Sequence, residues 1–326
     1  MTRADYTRFK LVQHYGDSKL MSQLEVNLKT YYDWAHLAIG AWTDVVMPTS
    51  GAYGGDFSDL RLVDDPSYTA GTVWEGVRKD WVWETGVNYL GATGDGPYNP
   101  SGVSVQVGGS PVASSEYTVN YGLGRIIFDT AQSTTATVEA QYAYRDVQVY
   151  RADDAPWFRE LQYNSFRPDD SHFALTSSGD WSQGAQHRVQ LPAIVLEAVP
   201  RGRSSGYELG NGSLVIEQDV LFHVVAQDRF TRNDIVDTIR AQSDKGIYLF
   251  DVNALIASGD YPLDIDGDRV ANPKMYPTLV ETSAVGGYRW KTCHMKDAII
   301  SEVESINPEL HQGVVRTTME VVLGDI

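Results

Sequence analysis

Between Val103 and Tyr150 the chain alternates in twos and is cut at regular intervals by glycine. Val103, Val105 and Val107 alternate and run into Gly108-Gly109. Tyr117, Val119 and Tyr121 do the same and run into Gly122-Leu123-Gly124, after which Arg125-Ile126-Ile127-Phe128 resumes. Val138, Ala140, Tyr142 and Tyr144 alternate until the phase shifts at Arg145-Asp146. A period of two puts alternate side chains on opposite faces of a strand, and paired glycines supply the backbone freedom of a tight hairpin. Short strands at ~8–12-residue spacing predict a small β-sandwich or barrel. Val73 to Asn88, with Trp81-Val82-Trp83, adds strand signal upstream, and Gly94-Asp95-Gly96-Pro97 and Asn99-Pro100 punctuate a turn. The β-domain is expected over residues 59–150.

The flanking segments read differently. Leu20, Leu24, Leu28, Tyr31, Ala35 and Ala38 recur at three- and four-residue steps, which predicts one helix over 17–40 with Asp17 or Ser18 at its start. With the glycine-rich loop that follows, it makes an N-terminal region, 1–58. Residues 151–186 are rich in turn signals such as Asp153-Asp154-Ala155-Pro156 and predict an extended connecting arm. Residues 187–326 alternate strand and helix. Strands are expected at Val189–Val199, Leu214–Ala226, Tyr288–Val303 and Val314–Leu323. A helix is expected after a cap at Thr231–Asp234, a short one at Asp251–Ala257, and an exposed polar tip at 202–212. The fold class that follows is α+β: a C-terminal mixed sheet with a flanking helix, an inserted β-domain and an N-terminal helix.

Composition narrows the function. With 326 residues and 42% hydrophobic content there is enough apolar material for more than one core. The formal charge is −17, from 26 basic against 43 acidic residues, which argues against nucleic-acid binding because phosphate contacts need clustered cations. An acidic wall instead lets DNA slide past without sticking. Cys293 is the only cysteine, so no intramolecular disulfide forms, and folding in a reducing cytoplasm is expected. No signal region opens the chain and no stretch approaches ~20 apolar residues, so no membrane partner is expected.

No motif in the sequence carries catalysis. Asp264-Ile265-Asp266-Gly267-Asp268 resembles a calcium loop, but its twelfth position is Met275 where a bidentate acid is required. Cys293-His294, adjacent on a strand, point to opposite faces. Gly179-Asp180-Trp181-Ser182-Gln183-Gly184 misses the nucleophile-elbow spacing by one residue. Gly122-Leu123-Gly124 opens a strand and lacks the third glycine of a dinucleotide fingerprint. No catalytic residue, cofactor or metal is therefore expected, and the chain reads as a non-enzyme. Its eight tryptophans suit protein contact as well as core filling. Trp34, Tyr53, Phe57, Trp81, Trp83, Trp157 and Phe158, with the basic tip Arg201, Arg203 and Tyr207, are the expected interface residues.

Several segments resemble virion structural proteins of tailed bacteriophages: Leu28 to Trp34, Pro48 to Phe57, Trp74 to Glu84, Asp153 to Phe158 and Gln190 to Glu197. The C-terminal plan is similar to tail-terminator and neck proteins. The resemblance implies a homo-oligomeric ring, usually a hexamer, that joins the head connector or adaptor to the tail tube or sheath and lets double-stranded DNA pass. It implies a place at the neck of the virion tail, after synthesis in the host cytoplasm. Two other roles fit the same reading: a baseplate or tail-fibre adaptor whose β-domain is a binding module, and a virion-associated glycan hydrolase.

Overall fold

The computed structural model describes residues 17–47, 55–91, 97–155, 157–158, 173–175, 181–183, 187–199, 203–206, 214–283, 292–307 and 310–323. The first described element is helix α1 (Asp17–Ala38), which is followed by a β-module. The module comprises β1 (Trp42–Val45), the single turn α2 (Gly55–Ser58), β2 (Arg61–Leu62), β3 (Val73–Glu75), the small hairpin β4 (Tyr89–Leu90) and β5 (Pro97–Tyr98), β6 (Ser104–Val107), β7 (Ser110–Val112), β8 (Tyr117–Asn120), β9 (Arg125–Phe128) and β10 (Val138–Arg145). Two four-stranded antiparallel sheets result, ordered β1-β10-β6-β7 and β2-β3-β9-β8. The alternating residues read from the sequence meet in one core. Val105, Val119, Ile126, Phe128, Val138 and Tyr142 are buried together around Trp81, whose ring stacks on Tyr142 with centroids 4.1 Å apart.

Gly124 is the turn on which this core depends. Its φ is +65°, and a Cβ there would lie 2.5 Å from the Arg78 carbonyl oxygen and 2.9 Å from Trp81 Nε1. Only glycine accommodates both that conformation and the close approach of the two chain segments.

Most of the described strands that follow build a larger sheet. β11 (Gln148–Arg151) leads to the short strands β12 (Phe173–Leu175), β13 (Trp181–Gln183) and β14 (His187–Val189). Next come β15 (Ala193–Ala198), β16 (Arg203–Gly206) and β17 (Leu214–Ala226), helix α3 (Arg229–Arg240), β18 (Lys245–Tyr248), helices α4 (Val252–Ser258) and α5 (Thr278–Ser283), and the long hairpin β19 (Thr292–Asn307) and β20 (Leu310–Leu323). The order is β11-β15-β17-β20-β19-β18, with β16 also paired to β17. The sheet is mixed because β11 runs parallel to β15 while the other pairs are antiparallel. One face carries Ile194, Leu196, Phe222, Val224, Val315, Met319 and Val321. It is covered by Leu24, Leu28 and Tyr32 of α1 and Ile235, Val236 and Ile239 of α3. Gly313 of β20 lets α3 come close, since a Cβ there would sit 3.0 Å from Val236 Cγ2. On the other face, Trp157 and Phe158 pack on Val195, Val225 and Leu310.

The α+β class and its mixed sheet agree with the reading of the sequence; the boundaries do not. β1 pairs with β10, so the β-module begins near residue 42, inside the region expected as 1–58. It ends near 146, because β11 belongs to the larger sheet. The N-terminal helix is no separate region: Leu20, Leu24, Leu28, Tyr31 and Tyr32 pack on that sheet in one core with α3. In the stretch expected as an extended arm, the described strands β12 and β13 pair with each other and with β14, just beyond it, as a three-stranded antiparallel sheet. β16 replaces part of the expected polar tip. Helix α3 starts two residues before the expected cap: Asp228 accepts the amides of Phe230 and Thr231, each at 2.9 Å.

Candidate functional site

The most unusual chemistry lies where α1 meets the β-module. Lys29, Asp33 and His36 recur at i, i+4 and i+7 and so share one helix face. The loop between β3 and β4 brings Asp80 and Glu84, and the last residue of β10 brings Arg145. Arg145 Nη2 donates to Glu84 Oε2 and Nη1 donates to the Asp33 carbonyl oxygen at 3.2 Å; Nε lies 3.6 Å from Asp80 Oδ2. Lys29 Nζ donates to Asp33 Oδ2 at 2.6 Å. The Arg145 and Glu84 side chains are 4% and 5% exposed, whereas those of Lys29 and Asp80 remain 32% and 22% open to solvent. The cluster is therefore a charged cleft with a closed floor. Asp80 has φ +52°, a left-handed conformation that is strained for a residue with a side chain and is held here by packing on both sides.

Burial raises the Asp80 and Glu84 carboxyls above their ordinary values, further than Arg145 lowers them. For Arg145 the balance runs the other way: burial disfavours the charge, but Glu84, Asp33 and Asp80 outweigh it and keep the guanidinium protonated. Lys29 is likewise held charged by Asp33 and Asp80 against burial. His36 is buried with no partner on Nε2, and burial pushes it down to about 4, so it is neutral near pH 7. Beside the cluster, the buried Gln190 side chain lies against the Lys79 backbone; with its amide turned over, it donates to the Lys79 carbonyl at 3.2 Å and accepts from the Lys79 amide at 2.6 Å.

Chemically this is a clasp. Three carboxylates and two cations pair across two structural units, with Arg145 Nε and Asp33 Oδ1 left without a hydrogen bond and no nucleophile among them. Among the described residues, no group of three or more His, Cys, Asp or Glu is arranged to hold a metal ion. The Asp264–Asp268 loop is a turn closed on itself, with Asp264 Oδ1 accepting the amides of Asp266 and Asp268. It also ties to the β-module, since Asn120 Nδ2 donates to the Asp266 carbonyl at 2.7 Å. Cys293 and His294 do lie on opposite faces: the thiol is buried and pushed up to about 12, while His294 pairs with Asp244 at 3.0 Å.

The described residues among those expected at an interface lie in different parts of the fold. Trp81 and Trp83 are buried in the β-module core, and Trp157 and Phe158 under the larger sheet, so none of the four offers area to a partner. Trp34 is half-buried against Tyr31 and Tyr276, and Phe57 lies partly buried under the Arg78 guanidinium. Arg203 on β16 is exposed. Tyr53, Arg201 and Tyr207 lie outside the described residues. The clasp itself escaped sequence reading because its members are separated by up to 116 positions (Lys29 to Arg145). No local signal marked it, because Arg145 lies on the opposite phase from Val138, Ala140 and Tyr142 of the alternating strand and is buried only where that alternation breaks at Tyr142-Ala143.

No family model, no curated protein and no solved structure matches this chain.

Proposed function

We propose that this chain is a non-enzymatic structural protein of a tailed-phage virion, placed at the neck as a tail-terminator-like ring joining connector and tail. The observation that carries the reading is the convergence of the segments that resemble virion proteins. Leu28–Trp34 and Trp74–Glu84 supply Lys29, Asp33, Asp80 and Glu84 of the clasp. Gln190–Glu197 reaches Lys79 through Gln190, and its Val195 packs on Trp157 and Phe158 of Asp153–Phe158. Segments far apart in sequence thus build one junction, which sets how the β-module stands on the sheet. A rigid junction of this kind suits a subunit that transmits load between two larger assemblies. The strongly acidic charge suits a bore through which DNA moves without binding.

Antibody-gold labelling of intact virions tests the placement. Label at the head–tail junction supports it. Label at the distal tip moves the protein to the baseplate, as an adaptor; exposed Leu90 and Tyr98 on the β4–β5 hairpin favour that second reading. Clearing of a peptidoglycan gel by the purified protein would overturn the non-enzymatic assignment.

A further inference from the structure

His36 lies at the seam between two cores that share α1. Leu20, Leu24, Leu28, Tyr31 and Tyr32 belong to the core of the larger sheet, whereas Leu37, the residue after His36, is buried with Val82, Val87 and Ala143 of the β-module. That second contact is small beside the cores it joins, so polar groups at the seam weigh heavily in it. They are incompletely matched. The imidazole is 4% exposed and its Nε2 has no hydrogen-bond partner; Asp33 Oδ1 on α1 and Arg145 Nε on β10 have none either. Tyr32 lies one turn back, with its ring centroid 6.3 Å from the imidazole and its buried hydroxyl also unpaired. Buried polar atoms without partners weaken the closed seam.

Two charged groups act on the imidazole: Asp33 from its own helix favours a proton on the ring, and Arg145 from the β-module opposes one. Asp80 and Glu84 on the facing loop pair with Arg145, and Lys29, two turns back on α1, pairs with Asp33. Burial outweighs both direct influences and holds the ring neutral in the closed seam, with its value at about 4. Parting the seam brings the ring into water and returns it toward its ordinary 6.5. A proton therefore binds the open arrangement more tightly than the closed one, and shifts the balance toward it.

We propose that His36 is a proton-operated latch: on mild acidification it parts the C-terminal end of α1 from the β-module while both cores stay folded. The carboxylates pull the other way. Burial raises Asp80 and Glu84, so protonating them favours the closed seam. Opening is driven by His36 as pH falls from 6.5 toward 4, and between pH 7 and pH 5 its contribution to the opening equilibrium grows about twentyfold. The latch is a property of this junction and does not rest on the placement at the neck.

Hydrogen exchange of the full-length chain at pH 7 and pH 5, corrected for the intrinsic rate at each pH and read by mass spectrometry, tests the latch. Peptides covering 33–41 and 80–88 report the seam, and peptides covering β17 and β20 report the larger core. In the native chain, acidification should lower seam protection while β17 and β20 keep theirs. His36→Phe cannot take up the proton, so its seam should hold or gain protection at pH 5, about twentyfold above the native chain. His36→Arg, charged at both pH values, should expose the seam already at pH 7. Native seam protection that is unchanged or higher at pH 5 refutes the latch, whether or not the variants fold. Loss of protection in β17 and β20 together with the seam refutes it too, because His36 then acts on global unfolding.

Discussion

Replacing Arg145 with leucine tests whether the junction is held by charge or merely by shape. The substitution removes the partner of Glu84 and the donor to the Asp33 carbonyl, leaving a carboxylate that is 5% exposed without a cation. Breaking a buried pair from one side costs about 3–5 kcal/mol. Glu84 has an escape, which sets a ceiling: it can take up a proton. From its ordinary value of 4.5, protonation at pH 7 spans 2.5 pH units, or about 3 kcal/mol at 1.36 kcal/mol per unit. At pH 5 the same step costs only about 0.7 kcal/mol. The lost hydrogen bond to Asp33 adds about 1 kcal/mol at either pH. The deficit should therefore be about 4 kcal/mol at pH 7 and about 2 kcal/mol at pH 5. The sign follows from linkage: the variant's folded state binds a proton that the unfolded chain releases above its ordinary value, so stability falls as pH rises. Urea unfolding followed by tryptophan fluorescence at both pH values measures this. Adding Glu84→Leu should recover most of the loss at pH 7, because the orphaned charge is gone. A deficit below about 1 kcal/mol at pH 7, or one that does not change with pH, would refute a charge-held junction.

His36 should make the native protein acid-sensitive. Its folded value is about 4 against an ordinary 6.5, so its contribution is complete above pH 6.5 and is lost as pH falls toward 4, by up to about 3 kcal/mol; His36→Phe should flatten that part of the pH–stability curve. Gly124→Ala should cost about 2 kcal/mol or more, read as a lowered Tm, because it combines a positive φ with a 2.5 Å approach to the Arg78 carbonyl. Cys293, with its thiol buried and pushed up to about 12, should resist iodoacetamide in the folded protein and react in step with urea unfolding; rapid labelling of native protein would show that the helix-covered face opens locally.

Sequence alone was enough to find what depends on near neighbours. The period of two in Val103–Val107, Tyr117–Tyr121 and Val138–Tyr144 corresponds to β6, β8 and β10. The three- and four-residue steps of Leu20, Leu24 and Leu28 correspond to α1. The short helix expected at Asp251–Ala257 corresponds to α4. These features are written within a few positions of one another, so periodicity and turn chemistry reveal them.

Tertiary structure decided which elements belong together. A tryptophan's sequence context is the same whether it fills a core or faces a partner, and only the fold buried Trp81 against Tyr142 and Trp157 under the larger sheet. Nothing local distinguishes Arg145 from any other arginine at a strand end. Its role arises because α1 and the loop carrying Asp80 and Glu84 approach from opposite sides and exclude water, and burial then makes each charge depend on the others. The alternation of a strand is a property of its own residues, whereas the pairing of a charge is a property of distance in space. The sequence therefore determined the kinds of element in this protein, and the packing of α1 and β11 onto the larger sheet decided where its chemistry lies.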